Sequence, residues 1–159
     1  MNRVALLACL CVLPLAGCGN SKPGSNADSA AAAVASPNPT VSRYDSGPRA
    51  GESEPDEAQA TRGSQLFKDK GCSACHAFGT KLSGPDLRGV SMRRTAAWME
   101  NQILHPEVMV KEDPISRGLF ATHALQMPNQ GLQPDEARAV IEFLKYQDHE
   151  AGLTPDKED

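Results

Sequence analysis

The sequence predicts a small all-α fold, and three observations carry that prediction. Ala137, Val140, Ile141 and Leu144 recur at helical spacing behind Pro134-Asp135-Glu136, where proline suits the first helical position and the acids complement the N-terminal dipole. No run shows the period-two alternation of a strand. Pro85, Pro114 and Pro128, with Gly79, Gly84 and Gly131, mark long loops, and such loops in a small domain must wrap something.

Taken in order, the chain opens with Arg3 and an apolar run from Val4 to Leu15, too short to span a bilayer and reading as an export signal. The run ends in Leu15-Ala16-Gly17-Cys18, which resembles a bacterial lipobox. That resemblance implies removal of residues 1–17 and a diacylglycerol on Cys18. Gly19, where inner-membrane lipoproteins often carry Asp, implies the outer membrane. Two acyl chains anchor stably where one does not. Residues 18–57, rich in Ser, Pro, Ala, Gly and acids, read as a disordered linker with a span of about 30–40 Å.

The domain is expected over residues 58–148, with an acidic flexible tail at 149–159. A first helix is predicted from Glu57 to Lys70, with Gly63 and Phe67 on one face and Gly71 ending it. A middle helix is predicted from Thr95 as N-cap through Trp98, Met99, Ile103 and Leu104, stopped by Pro106. With aromatic residues at 4 %, roughly 90 residues make a thin core. A buried apolar cofactor would supply the missing bulk.

Cys72-Ser73-Ala74-Cys75-His76 is the attachment pattern of a c-type haem. Two thiols about one turn apart can each add to a haem vinyl group, and the adjacent imidazole then stands beneath the iron. A thioredoxin-type redox centre would need alternating strands and helices, and a zinc site a second Cys/His pair. Neither is present in the pattern. Of the five cysteines, Cys9 and Cys11 fall in the signal and Cys18 in the lipobox, so Cys72 and Cys75 are left for haem.

With these residues in hand, the stretch from about Ala58 to Gln147 resembles class I (monohaem) cytochrome c. The features are Gly63-x-x-x-Phe67, the Cys72–His76 motif, Gly84-Pro85-Asp86-Leu87, and Met127-Pro128 ahead of the last helix. The resemblance implies crossed terminal helices, with Gly63 and Phe67 meeting Ile141 and Leu144, around one covalent haem c and its iron. It implies that the Pro85 carbonyl fixes the His76 tautomer, and that Phe67, Leu87 and Trp98 join Pro85 in the haem pocket. Met127 is the candidate sixth ligand, and a thioether opposite imidazole raises the reduction potential. His123, four residues upstream, is its rival. Met99 belongs to the helical stripe and Met109 to the loop after Pro106. The passage from Val108 to Gln126 is longer than in the smallest members. It is similar to domains found beside bacterial copper enzymes, or is an ordinary loop expansion.

The function these expectations describe is one-electron transfer between redox proteins on the periplasmic side of a membrane, with no catalytic residues. Lys68, Lys70, Lys81, Arg88, Arg93 and Arg94 cluster around the haem motif and would steer an acidic partner, or are simply a solvated surface. A gas sensor or small peroxidase would need a labile sixth ligand instead; a scaffold would need no redox centre at all. A net charge of −4 and an exported location argue against nucleic acid.

Overall fold

The computed structural model of the chain describes residues 41–153, which form six α-helices and two single-turn 3₁₀ segments, with no strand among the described residues. Helix α1 spans Glu57–Asp69, α2 Val90–Arg93, α3 Ala96–Leu104, α4 Pro106–Glu112, α5 Pro114–His123 and α6 Pro134–Glu150.

Each long helix starts and stops for local reasons. The Asp56 carboxylate caps α1 by accepting from the Gln59 N–H, and Gly71 ends it at φ +76. The Thr95 hydroxyl accepts from the Trp98 N–H to start α3. In α6, Glu136 reaches back to the Gln133 N–H at 2.8 Å. Its end is a Schellman closure: Gly152, at φ +72, donates to His149 O and Leu153 donates to Asp148 O. The stretch expected to begin a flexible tail at residue 149 is therefore a helix end, as far as Leu153.

α1 packs across α6. A Cβ on Gly63 would lie inside the contact radius of the Ala139 carbonyl oxygen and 2.9 Å from Phe143 Cβ, so only glycine permits this approach. Gly63 thus faces Ala139 and Phe143, not Ile141 and Leu144 as expected. Phe67, Phe78 and Phe143 stack in one cluster with centroids 5.4–5.9 Å apart. The buried core continues through Val90, Trp98, Met99, Met109, Leu132, Val140, Ile141 and Leu144.

Two further expectations are corrected. The Val108–Gln126 passage is largely helical, because Pro106 and Pro114 each occupy the first position of a new helix rather than merely breaking one. Met109 accordingly sits inside α4, 1 % exposed, not in a loop. The second correction concerns the expected linker, whose residues 42–56 are fastened to the helices. Asp45 accepts from the Thr95 N–H and pairs with Arg49 and Arg94, Ala50 is buried, and Lys145 on α6 donates to Ser53 Oγ and Glu54 O. These are isolated polar grips with one small apolar residue between them, so they leave no periodicity in the sequence.

Candidate functional site

α1 and the turn after it present the haem motif. Cys72–Ala74 is a single 3₁₀ turn, closed by Cys75 and His76 N–H groups donating to Cys72 O at 3.2 and 3.0 Å. The following loop folds back: Gly84 N–H donates to Cys75 O, and Leu87 N–H to Ala77 O. The Asp86 carboxylate clamps it by accepting from the backbone N–H groups of Arg88 and Gly79, which hold that carboxyl below its ordinary range.

This fold-back places the Pro85 carbonyl oxygen 2.9 Å from His76 Nδ1. The carbonyl only accepts, so Nδ1 carries the proton and Nε2 is left with a lone pair. Gly84 is required beside it, since a Cβ there would lie 2.6 Å from His76 Cε1. Cys72 and Cys75 are unbridged, and burial pushes the Cys72 thiol above its ordinary value.

Cys72, Cys75, His76, Pro85, Leu87, Phe67, Trp98 and Met127 all line one cavity of about 1270 Å³, counting the solvent at its mouth. His123 lines it too, with Nδ1 3.2 Å from Ser83 O. α5 supplies Ser116, Leu119 and Phe120, so the passage that looked like a loop is a wall of the site. Trp98 is both core and wall: it is 4 % exposed and its indole N–H donates to Asp113 Oδ1 at 2.9 Å. Phe120, Leu125 and Leu82 are exposed apolar side chains, the first two at the cavity itself.

Sequence reasoning missed three site features. Asp113 is fully buried and organises α5 and Trp98; burial pushes its carboxyl up, but the Ser42 hydroxyl, the Trp98 indole and Ser116 hold it below its ordinary value. Asp148 is fully buried and accepts from Gly89 N, Ser91 N and Ser91 Oγ at 2.5, 2.9 and 2.7 Å, tying α2 to α6. Gln102 reaches Met127. An acid beside a proline and an acid or amide inside a helix all look like surface residues, so nothing in the pattern marked them. The basic cluster is partly spent within the fold. Lys70 pairs with Glu136, Arg94 pairs with Asp45 and lies over the Trp98 ring, and Arg93 caps the Arg88 carbonyl. Arg93 and Arg94 nonetheless line the cavity.

The residues fit a covalently held haem. Two unbridged thiols and an oriented imidazole open on one side of a deep apolar cavity, a thioether lines the same space, and two guanidiniums are available for propionates. Among the described residues no group of three His, Cys, Asp or Glu side chains is placed to hold a bare metal ion.

Comparison with known proteins agrees. The Cytochrome c family model matches residues 60–148. Cytochrome c-551 of Pseudomonas denitrificans is 30 % identical over 82 residues, covering 52 % of this chain and 93 % of that protein. Cytochrome c-551 of Stutzerimonas stutzeri is 31 % identical over 87 residues, covering 55 % and 78 %. Among solved structures, cytochrome c from Rhodothermus marinus superposes with a TM-score of 0.59 at 32 % identity, covering 61 % of this chain and 83 % of that one. An engineered form of that protein, bound to a carbene intermediate, gives 0.55 at 32 % identity over 60 % of this chain and 82 % of its own. With a haem-attachment motif, a cavity shaped for the group, and relatives matching across the whole domain, the chain belongs to the cytochrome c family as a class I, monohaem c-type cytochrome with covalently bound haem c and its iron.

Proposed function

We propose that this monohaem cytochrome carries single electrons between redox proteins while tethered by a lipid on Cys18 to the periplasmic side of the outer membrane. Cys72 and Cys75 would bind the haem covalently, and His76 and Met127 would ligate its iron. The observation that carries the reading is the shared cavity: His76, tautomerically fixed by Pro85, and Met127 line the same apolar space.

When bound, haem c supplies a ferric/ferrous couple that exchanges one electron. The protein's own part is to bind, orient and exclude. The Pro85 carbonyl keeps the His76 lone pair on Nε2. Phe67, Leu87, Trp98 and Val140 keep water from the cavity, which favours the less charged state of a redox centre. Arg93 and Arg94 offer charge to the propionates. Phe120 and Leu125, exposed at the mouth, give a partner an apolar contact surface, and Lys81 and Arg88 remain at the exposed surface for an acidic one. The likeness of the Val108–Gln126 passage to domains beside copper enzymes makes a copper enzyme our proposed partner class. The lipid anchor and export signal fall on residues outside the described ones and rest on Leu15–Cys18 and the apolar run before it. Among the described residues no helix is long and apolar enough to cross a membrane.

A redox titration followed optically tests the ligand set. A strongly positive midpoint with no carbon monoxide binding at neutral pH is the expected result. A strongly negative midpoint would transfer the sixth position to His123, and ready carbon monoxide binding would refute ligation by Met127 altogether. Metabolic labelling with a fatty acid, lost in Cys18→Ala, checks the anchor; unlabelled parent protein would remove it from the reading.

A further inference from the structure

We infer that Gln102 is a positioning residue for the Met127 thioether, turned nitrogen-first toward the sulfur by a buried relay through Ser116, Asp113 and Trp98. The inference rests on Met127 being an axial ligand, as proposed above, and concerns what sets the donor strength of its sulfur.

Gln102 Nε2 lies 3.7 Å from Met127 Sδ, within reach of an N–H···S hydrogen bond. A carboxamide can present its NH₂ or, rotated by half a turn, its oxygen. The oxygen would set lone pair against lone pair. The neighbours decide between them. Ser116 Oγ lies 2.6 Å from Gln102 Oε1 and 3.2 Å from Asp113 Oδ1, yet it has a single proton to give. Asp113 Oδ1 already accepts the Trp98 indole N–H at 2.9 Å and the Ser116 backbone N–H at 3.0 Å, which occupies both of its lone pairs. The hydroxyl proton therefore goes to the closer acceptor, Gln102 Oε1. With its oxygen engaged, the amide has only N–H to offer the sulfur. Ser116 and Trp98 are each 4 % exposed and Asp113 is fully buried, so water does not compete for these bonds.

The consequence is electronic. A hydrogen bond to a sulfur lone pair withdraws density from the donor atom, and the oxidised iron, which needs that density more, loses more by it. Gln102 therefore raises the midpoint potential relative to a bare thioether. This is the work of a residue that contributes no ligand of its own.

The test is an optical redox titration of the purified holoprotein, together with imidazole binding to its ferric form. Gln102→Leu removes the donor and should shift the ferric/ferrous equilibrium roughly two- to fivefold toward ferric, the scale of one net hydrogen bond. Imidazole, which must displace the thioether, should bind that variant more weakly. Ser116→Ala frees the amide to turn and should shift the equilibrium the same way by less, while Ser116→Thr, which keeps the hydroxyl, should match the parent. If Gln102→Leu fails to load haem, Gln102→Ala makes the same deletion with less bulk. Unchanged potential and imidazole affinity in the Gln102 variant, alongside a changed Met127→Leu spectrum, would overturn the inference and leave the ligand assignment standing. An unchanged Met127→Leu spectrum would overturn both. A Gln102 effect that Ser116→Ala does not share would overturn the relay.

Discussion

Replacing Gly63 by alanine isolates the helix crossing on which the domain is built. The new Cβ would intrude on the Ala139 carbonyl oxygen, with Phe143 Cβ at 2.9 Å. Both obstacles are close to the backbone, so no rotamer change relieves them and α1 must move away from α6. Overpacking of this kind costs about 1–3 kcal/mol, and a clash with a carbonyl belongs at the upper end. Alanine returns about 1 kcal/mol through helix propensity. The net is a loss of about 2 kcal/mol, or a melting point lower by about 10 °C for a domain of this size. Gly118, within α5, provides the control, because a Cβ there meets nothing within 4 Å. Gly118→Ala should stabilise by about 0.5–1 kcal/mol. The assay is thermal unfolding of both variants of the holoprotein, followed by far-ultraviolet circular dichroism. A Gly63→Ala protein melting at or above the parent, or two variants shifting in the same direction, would refute the close crossing.

Three further outcomes are expected. Asp148→Ala strands the Gly89 and Ser91 donors in a buried site and should cost about 3 kcal/mol, read from the urea midpoint; a loss below about 1 kcal/mol would contradict the tie between α2 and α6. Gly84→Ala drives a methyl to within 2.6 Å of His76 Cε1, so the reduced visible spectrum should show weakened imidazole ligation at unchanged covalent haem content. The Asp113 carboxyl is held below its ordinary value of 3.8, so its contribution to stability is present above that value and lost as pH falls through the lower native one. Urea midpoints taken down an acid series should therefore fall more steeply in the parent than in Asp113→Asn, which is itself less stable at neutral pH; parallel slopes would show that Asp113 carries no such linkage.

Much of this was legible in the sequence because the signals were local. Thr95 as a cap, Gly71 and Pro134 as boundaries and the Ala137–Leu144 stripe each depend on neighbours within a few positions, and the helices formed where they pointed. The Cys72–His76 motif is equally local, and chemistry fixes its spacing. What was not legible depends on partners far along the chain. Asp113 looks like an ordinary loop acid and Asp148 like a helix-surface one until folding buries them against Trp98 and Ser91. The grip of Asp45 on Thr95 and Arg94 joins positions about fifty residues apart, with no repeat to announce it. By sequence Pro114 reads as loop punctuation, whereas Asp113 before it and Ser116 after it form an N-cap with proline at the first helical position.

The crossing of α1 with α6 also bears on timing. α1 buries its apolar face chiefly on residues such as Ala139 and Phe143, which follow Cys75 by about sixty positions in the chain. A chain emerging N-terminus first therefore presents both thiols and His76 before the surface that locks them exists. During that interval α1 has nothing to dock against, and the attachment site is open to whatever delivers the haem. Arrival of α6 supplies the surface on which α1 docks. The order of residues thus places the attachment motif well ahead of the helix that fixes α1, while Cys72 and Cys75 stay only part-buried even in the packed fold.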